Sequence, residues 1–122
     1  LAIPAANGAA GQREALIGAL AVDSVGVSST GVPICSATGT DSFTDAVRER
    51  ARAAGAPVRD CENRTSDHWS FVRNGLPGTR IGLAGQAEFA EYHSPADQPD
   101  VVSDDLLAEA AEAVWGAVSA DW

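Results

Sequence analysis

The stretch LIGALAVDSVGV, residues 16–27, constrains the fold of this chain more than any other feature. It is an apolar run that is interrupted only by Gly18, Asp23, Ser24 and Gly26, and a turn rich in Ser, Thr and Gly follows it. Apolar runs of this length are typical of strands that are buried on both faces, as in a parallel sheet. We therefore expect a buried strand that ends near Asp23.

Strand-like and helical segments alternate along the rest of the chain. VPICSA, PVRDC and LPGTRIGLAG are strand candidates, whereas TGTDSFTDAVRERARAAG, DHWSFVRNG and SDDLLAEAAEAVWGAVSADW have helical patterns. The expected apolar stripe of the last helix consists of Leu107, Ala111, Val114 and Val118. This alternation predicts an α/β fold with a largely parallel sheet flanked by helices. Residues 1–15 lack periodicity and are predicted to be an irregular lead-in, and 1–122 form a single domain or the C-terminal portion of a larger one.

Composition and charge restrict the partners. The 122 residues include 17 acidic and 8 basic side chains, for a formal charge of −9, which argues against nucleic-acid binding. The apolar runs are far shorter than the roughly 20 residues that a membrane span needs. Leu1 opens a segment without a basic n-region, so we expect a processed or cut start. The acidic, lysine-free, Ala- and Gly-rich composition favours a secreted protein.

The chain has two cysteines, Cys35 and Cys61. They lack the close spacing of a zinc knuckle or a C-x-x-C pair. They are candidates for a disulfide in an oxidising compartment, and the alternative is two buried free thiols. A disulfide that closes a loop of this size would stabilise the fold by roughly 3–4 kcal/mol.

Three places could carry chemistry, because ligands gather near the carboxyl ends of the strands in α/β sheets. Asp23 lies in an apolar run, and a buried carboxylate needs a metal ion, a helix N-terminus or an arginine as its partner. In NRTSDHWSFVRNGLPG, Asp67 and His68 are either a ligand and the group that orients it, or ordinary helix-capping residues. In EYHSPADQPD, His93 is either a metal ligand or an exposed histidine without a function.

Taken together, these segments resemble the C-terminal half of the M28 family of zinc exopeptidases, which are aminopeptidase-like enzymes with two metal ions. The resemblance covers about residues 20–122. It rests on LAVDSVG around Asp23 and on a set of motifs that follow: Ser66-Asp67-His68, Phe71, Gly75-Leu76-Pro77, Tyr92-His93-Ser94, and Asp97 with Asp100. Ser24 stands where the family usually has a bulky residue. The resemblance implies a zinc-exopeptidase-like (phosphorylase/hydrolase-like) fold.

The resemblance also implies roles for individual residues. Asp23 and His93 would each bind one of two zinc ions, which lower the pKa of a bridging water and polarise the scissile carbonyl. Tyr92 would donate a hydrogen bond to the oxyanion that forms when water attacks. Asp67 and His68 would orient the metal ligands through hydrogen bonds. Arg64 would bind a substrate carboxylate or form a wall of the specificity pocket.

The sequence departs from the family in what it lacks. The family also uses an upstream His-x-Asp motif and a Glu-Glu pair, but the only histidines here are His68 and His93, and no two glutamates are adjacent. A catalytic zinc generally takes about three protein ligands and a water. We therefore expect either the C-terminal part of a zinc aminopeptidase, completed by an N-terminal chain or segment or a second copy, or a catalytically inactive relative that acts as a binding module.

Overall fold

The computed structural model describes residues 16–27, 31–39, 41–119 and 121–122, so the predicted lead-in over 1–15 lies outside the described residues. The strands are β1 (Ala19–Val22), β2 (Val32–Ser36), β3 (Val58–Glu62) and β4 (Gly78–Ile81), and the helices are α1 (Ser42–Ala53), α2 (His68–Val72) and α3 (Asp104–Ser119). Two short 3₁₀ turns, Gln86–Glu88 and Pro99–Val101, lie between β4 and α3. No helix in these ranges is long and apolar enough to cross a membrane.

The four strands form one mixed sheet in the order β1-β4-β2-β3. β1 is parallel to β4, and β2 is parallel to β3, whereas β2 and β4 pair antiparallel. The predicted α/β fold with a largely parallel sheet is therefore confirmed. Because β1 and β4 run in the same direction, the residues that follow them lie at the same end of the sheet. The residues that follow β2 emerge at the opposite end.

The first strand differs from the prediction over 16–27. The structure forms a strand only over Ala19–Val22, and none of its four residues is fully buried. Within the described sheet, β1 has a neighbour only on the β4 side, which leaves its other edge open. Val22, the last residue of the strand, is 47% exposed. The apolar run therefore predicted the strand, but it overestimated both its length and its burial.

The core lies between the sheet and the pair α1 and α3. It contains Ile34 and Ile81 from the sheet and Val47 and Ala51 from α1, all without exposed surface. The buried face of α3 consists of Ala110, Ala113, Gly116 and Ala117. Of the expected stripe, Val114 is partly buried and packs against the core, whereas Leu107, Ala111 and Val118 are exposed. The small residues pack on α1, and the larger ones line an open groove beside Val22 and Val25.

Local contacts fix the start of α1 and the pairing of β2 with β3. Asp41 caps α1 by accepting the Thr44 N–H at 2.6 Å and the Ser36 hydroxyl at 2.7 Å. Burial raises the pKa of Asp41, but these hydrogen bonds outweigh it and hold that pKa below its usual value. Cys35 and Cys61 are opposite each other in the β2–β3 register and form a disulfide, so the two cysteines are not free thiols.

Candidate functional site

Asp23 directly follows β1, at the carboxyl end that the sequence analysis singled out. Its side chain is 56% exposed, and its Oδ2 is 3.4 Å from Nη1 of Arg80 on β4. The side chain of Arg80 is only 5% exposed. The sequence analysis named a metal ion, a helix N-terminus and an arginine as possible partners of this carboxylate. Among the described residues, the partner present is the arginine.

A close backbone approach determines the position of Asp23. The amide of Asp23 donates to the carbonyl of Ile81 at 3.1 Å, which extends the β1–β4 ladder past the strand end. Gly82 follows with a φ of +146°, and a Cβ atom on it would overlap the carbonyl oxygen of Asp23. Only glycine fits at this point, so Gly82 keeps the loop of Asp23 against β4.

Tyr92 and His93 lie in the long connection between β4 and α3. Their rings are stacked, with centroids 3.8 Å apart. Tyr92 also packs against Val27, Leu83 and Phe89, which form a small apolar cluster beside the loop of Asp23. His93 is exposed and adopts a φ of +56°. The packing therefore anchors Tyr92, and Tyr92 in turn supports the ring of His93.

Positive φ angles single out the two loops that carry the proposed zinc ligands. Among the described residues, Ser24 and His93 are the two non-glycine residues with positive φ, at 54° and 56°. One follows Asp23 directly, and the other is itself a proposed ligand. Non-glycine residues in this region carry a conformational cost, and such residues cluster at functional sites.

The Ser66-Asp67-His68 motif opens α2. His68 is fully buried, and its Nε2 lies 2.7 Å from the carbonyl oxygen of Asn63. Burial lowers the pKa of His68 and the charge of Arg80 lowers it further, whereas the hydrogen bond to Asn63 raises it. His68 is therefore a neutral imidazole that donates from Nε2, and its buried Nδ1 has no hydrogen-bond partner among the described residues. Asp67 occupies the N-cap position of α2 but makes no side-chain capping bond.

A cleft of about 830 Å³ brings several of these residues together. Its lining includes β1, Asp23, Thr65, Ser66, Asp67, His68, Phe71, Arg80 and Tyr92. Arg64 is not part of this lining. Its Nε donates to the carbonyl of Ala37 at 2.6 Å, and its guanidinium lies 5.8 Å from the ring centre of Trp69. The structure thus places Asp23, Asp67, His68 and Tyr92 around one cleft, whereas Arg64 and the proposed ligand His93 are not part of its lining.

Two residues at or beside this cleft escaped the sequence analysis. Arg80 lines the cleft itself. Asn63 lines a smaller neighbouring cavity and ties the turn after β3 to the segment after β4 through a 2.7 Å hydrogen bond to the carbonyl of Ala84. The signal for Arg80 was a single charge within the apolar strand TRIGL. Nothing in the sequence distinguishes Asn63 from an ordinary turn residue.

The donor chemistry of this chain fits zinc, although the number of donors is small. A carboxylate at Asp23 and an imidazole at His93 are both ligands that zinc takes in proteins. Within the described ranges, however, no group of three His, Cys, Asp or Glu side chains is arranged to hold a metal ion. Asp23 also faces a guanidinium, which competes with a cation for the same carboxylate.

Comparisons with solved structures identify the same architecture in known enzymes. A zinc aminopeptidase from Bacillus subtilis matches over 96% of this chain and 31% of its own, with 18% identity and a TM-score of 0.80. A second structure of that protein matches over 83% and 27%, with 21% identity and a TM-score of 0.72. An aminopeptidase from Aneurinibacillus sp. strain AM-1 matches over 95% and 29%, with 25% identity and a TM-score of 0.74. The chain thus spans less than a third of the length of these proteins.

The family assignment comes from comparisons of the sequence. A search of curated proteins finds no match. The sequence model described as Peptidase family M28 matches residues 6–118, which is nearly the whole chain. On this evidence the chain belongs to peptidase family M28.

Proposed function

We propose that this chain is the C-terminal part of a zinc-dependent aminopeptidase that hydrolyses N-terminal peptide bonds and acts outside the cell. The observation that carries the proposal is the position of Asp23 and Tyr92 on one cleft, at the carboxyl end of β1. A proposed metal ligand and a neutral phenol donor thereby border the same space. The membership in a peptidase family and the fold shared with zinc aminopeptidases support it.

In this proposal Asp23 and His93 would each hold one of two zinc ions, together with ligands from outside this chain. The metals would supply an activated water and a polarised carbonyl. Tyr92 would donate its phenol hydrogen to the oxyanion, a task that suits a neutral donor held by packing. His68 would act indirectly, because its hydrogen bond to Asn63 fixes the turn that precedes α2.

The remaining ligands would come from a complementary N-terminal part of the same enzyme or from a second copy of the chain. Two surfaces favour such a partner. The outer edge of β1 is open, and unpaired strand edges are usually covered. The groove between β1 and α3 exposes Leu107, Trp115 and Val118, of which Trp115 is 68% exposed. Apolar surface of this kind commonly marks an interface.

One observation favours the alternative of a catalytically inactive binding module. Arg80 already neutralises Asp23 within the chain, so this carboxylate does not need a metal ion to compensate its charge. An inactive relative would keep the fold and the cleft and would bind peptides without cleaving them.

The deciding experiment measures zinc content and hydrolysis on the full-length protein. The enzyme proposal predicts about two zinc ions per protein and release of p-nitroaniline from leucine or phenylalanine p-nitroanilide. His93→Ala should remove one zinc ion and nearly all activity. A well-folded full-length protein that binds no zinc and cleaves neither amide would instead establish the binding module.

A further inference from the structure

Arg80 is a buried cation whose hydrogen-bonding capacity is poorly used. It is 4% exposed, and its Nε is buried without a hydrogen-bond partner among the described residues. Its one ion pair joins Nη1 to Asp23 at 3.4 Å, and Asp23 is itself more than half exposed. A buried charge is costly unless it is paired and hydrogen-bonded. Among the described residues, Nε of Arg80 therefore lacks a hydrogen-bond acceptor.

Arg80 borders two cavities. One is the 830 Å³ cleft, and the other is a side cavity of about 120 Å³. Arg80, Thr65 and Tyr92 line both of them. A group in the cleft and a group in the side cavity would therefore both lie beside Arg80 and Tyr92. The smaller space suits the end of a side chain rather than a whole ligand.

The charges around these cavities discriminate between the two ends of a substrate. Asp23 and Asp67 line the cleft, and Arg80 is the only cationic side chain among the described residues that line either cavity. An ammonium group is favoured beside the two carboxylates. Apart from any bound metal ions, Arg80 is the group among these lining side chains that attracts a carboxylate. The guanidinium fork offers two parallel N–H groups to a carboxylate, a geometry that lysine lacks.

We propose that Arg80 and the side cavity form a carboxylate-recognition subsite beside the cleavage site. The inference rests on the proposed peptidase function, whose substrate class it specifies. The carboxylate is either the acidic side chain of the N-terminal residue or the free C-terminus of a very short peptide. Both present the same group to Arg80, and substrates that carry only one of them distinguish the two sources.

The test compares four substrates on the zinc-loaded, full-length protein. These are leucine p-nitroanilide, glutamate p-nitroanilide, and the dipeptide Leu-Gly, with Leu-Gly amide as its neutral counterpart. Arg80→Gln should lower kcat/KM for the carboxylate-bearing substrate by about 10- to 100-fold relative to the neutral one, the usual range for a lost charge-assisted hydrogen bond. Arg80→Lys should recover part of this ratio. Arg73→Gln, at an exposed arginine just after α2, should leave the ratio unchanged.

Competition experiments on the wild-type protein keep the proposal testable if the Arg80 variants fail to fold. Inhibition of leucine p-nitroanilide hydrolysis by glutamic acid α-amide is compared with glutamine amide, and inhibition by Leu-Gly with Leu-Gly amide. At least one carboxylate should inhibit about tenfold more strongly than its amide. If both pairs inhibit equally, or if Arg80→Gln slows all substrates alike, Arg80 is only a partner of Asp23. Failure of the peptidase function itself is distinct, because then no amide is cleaved at all.

Discussion

At the scale of single residues, Tyr92 offers the sharpest test of the proposed chemistry. Tyr92→Phe removes one hydroxyl and keeps the ring that packs on Phe89 and His93. We expect kcat to fall by roughly 10²–10³-fold with little change in KM, because the lost hydrogen bond forms only in the transition state. Steady-state kinetics on the full-length protein measure this. Zinc content is the control: it should stay at the wild-type level in Tyr92→Phe. Unchanged turnover would remove Tyr92 from the mechanism.

Gly82 is the residue that the position of Asp23 depends on most directly. Gly82→Ala introduces a Cβ atom into the carbonyl of Asp23 at a φ of +146°, which an alanine rarely adopts. We expect the free energy of unfolding of the full-length protein to fall by about 3 kcal/mol or more. Gly85→Ala is the matched control, since a Cβ there meets nothing within 4 Å. Urea denaturation of both variants checks this, and equal midpoints would contradict the close approach.

The sequence identifies some residues of the candidate site and misses others for a physical reason. Asp23, Asp67, His68 and Tyr92 belong to motifs, and the structure places all four on one cleft. Arg80 belongs to no motif. Its importance comes from which face of β4 it occupies and from what that face meets, and both depend on the pairing of distant strands.

At the scale of elements, the packing of α3 on α1 depends on Gly116. A Cβ atom on this residue would lie 2.6 Å from Cβ of Ala54 and 2.8 Å from the carbonyl oxygen of Arg50. Helix propensity alone predicts that Gly116→Ala raises the free energy of unfolding by about 0.8–1 kcal/mol. We expect the free energy of unfolding to fall by about 1–3 kcal/mol instead, because overpacking forces the two helices apart. Thermal and urea unfolding of the variant give the sign, and stabilisation would refute the tight contact.

The same contact explains why the buried face of α3 was not predictable. Leu107, Val114 and Val118 form the more hydrophobic stripe, so a periodicity argument turns it towards the core. The structure instead buries alanines and Gly116, since only small side chains let α3 approach α1. Element types were easier to predict: the strand candidates and helical patterns correspond to the strands and helices of the structure.

At the scale of the whole molecule, the sheet topology limits what the sequence can determine. Alternating strands and helices predict parallel pairing, and two of the three pairings are parallel. The antiparallel pairing of β2 with β4 has no local signature. It places the carboxyl ends of β2 and β3 at the opposite end of the sheet from Asp23, yet the segment after β3 returns, and its residues Thr65, Ser66 and Asp67 line the cleft with Asp23. The direction of a strand therefore does not by itself decide whether the loop that follows it reaches the site.

The open groove beside α3 allows a test of whether the full-length protein covers this surface. Trp115 is 68% exposed in this chain, so Trp115→Ser removes little of the packing described here. If a complementary part of the enzyme covers the groove, the same change deletes a buried aromatic ring. It should then destabilise the full-length protein by about 3 kcal/mol. Glu112→Ser, at an exposed position on the same helix, should change the free energy of unfolding by no more than about 0.5 kcal/mol. Equally small effects of both substitutions on urea unfolding would mean that solvent, not protein, covers the groove.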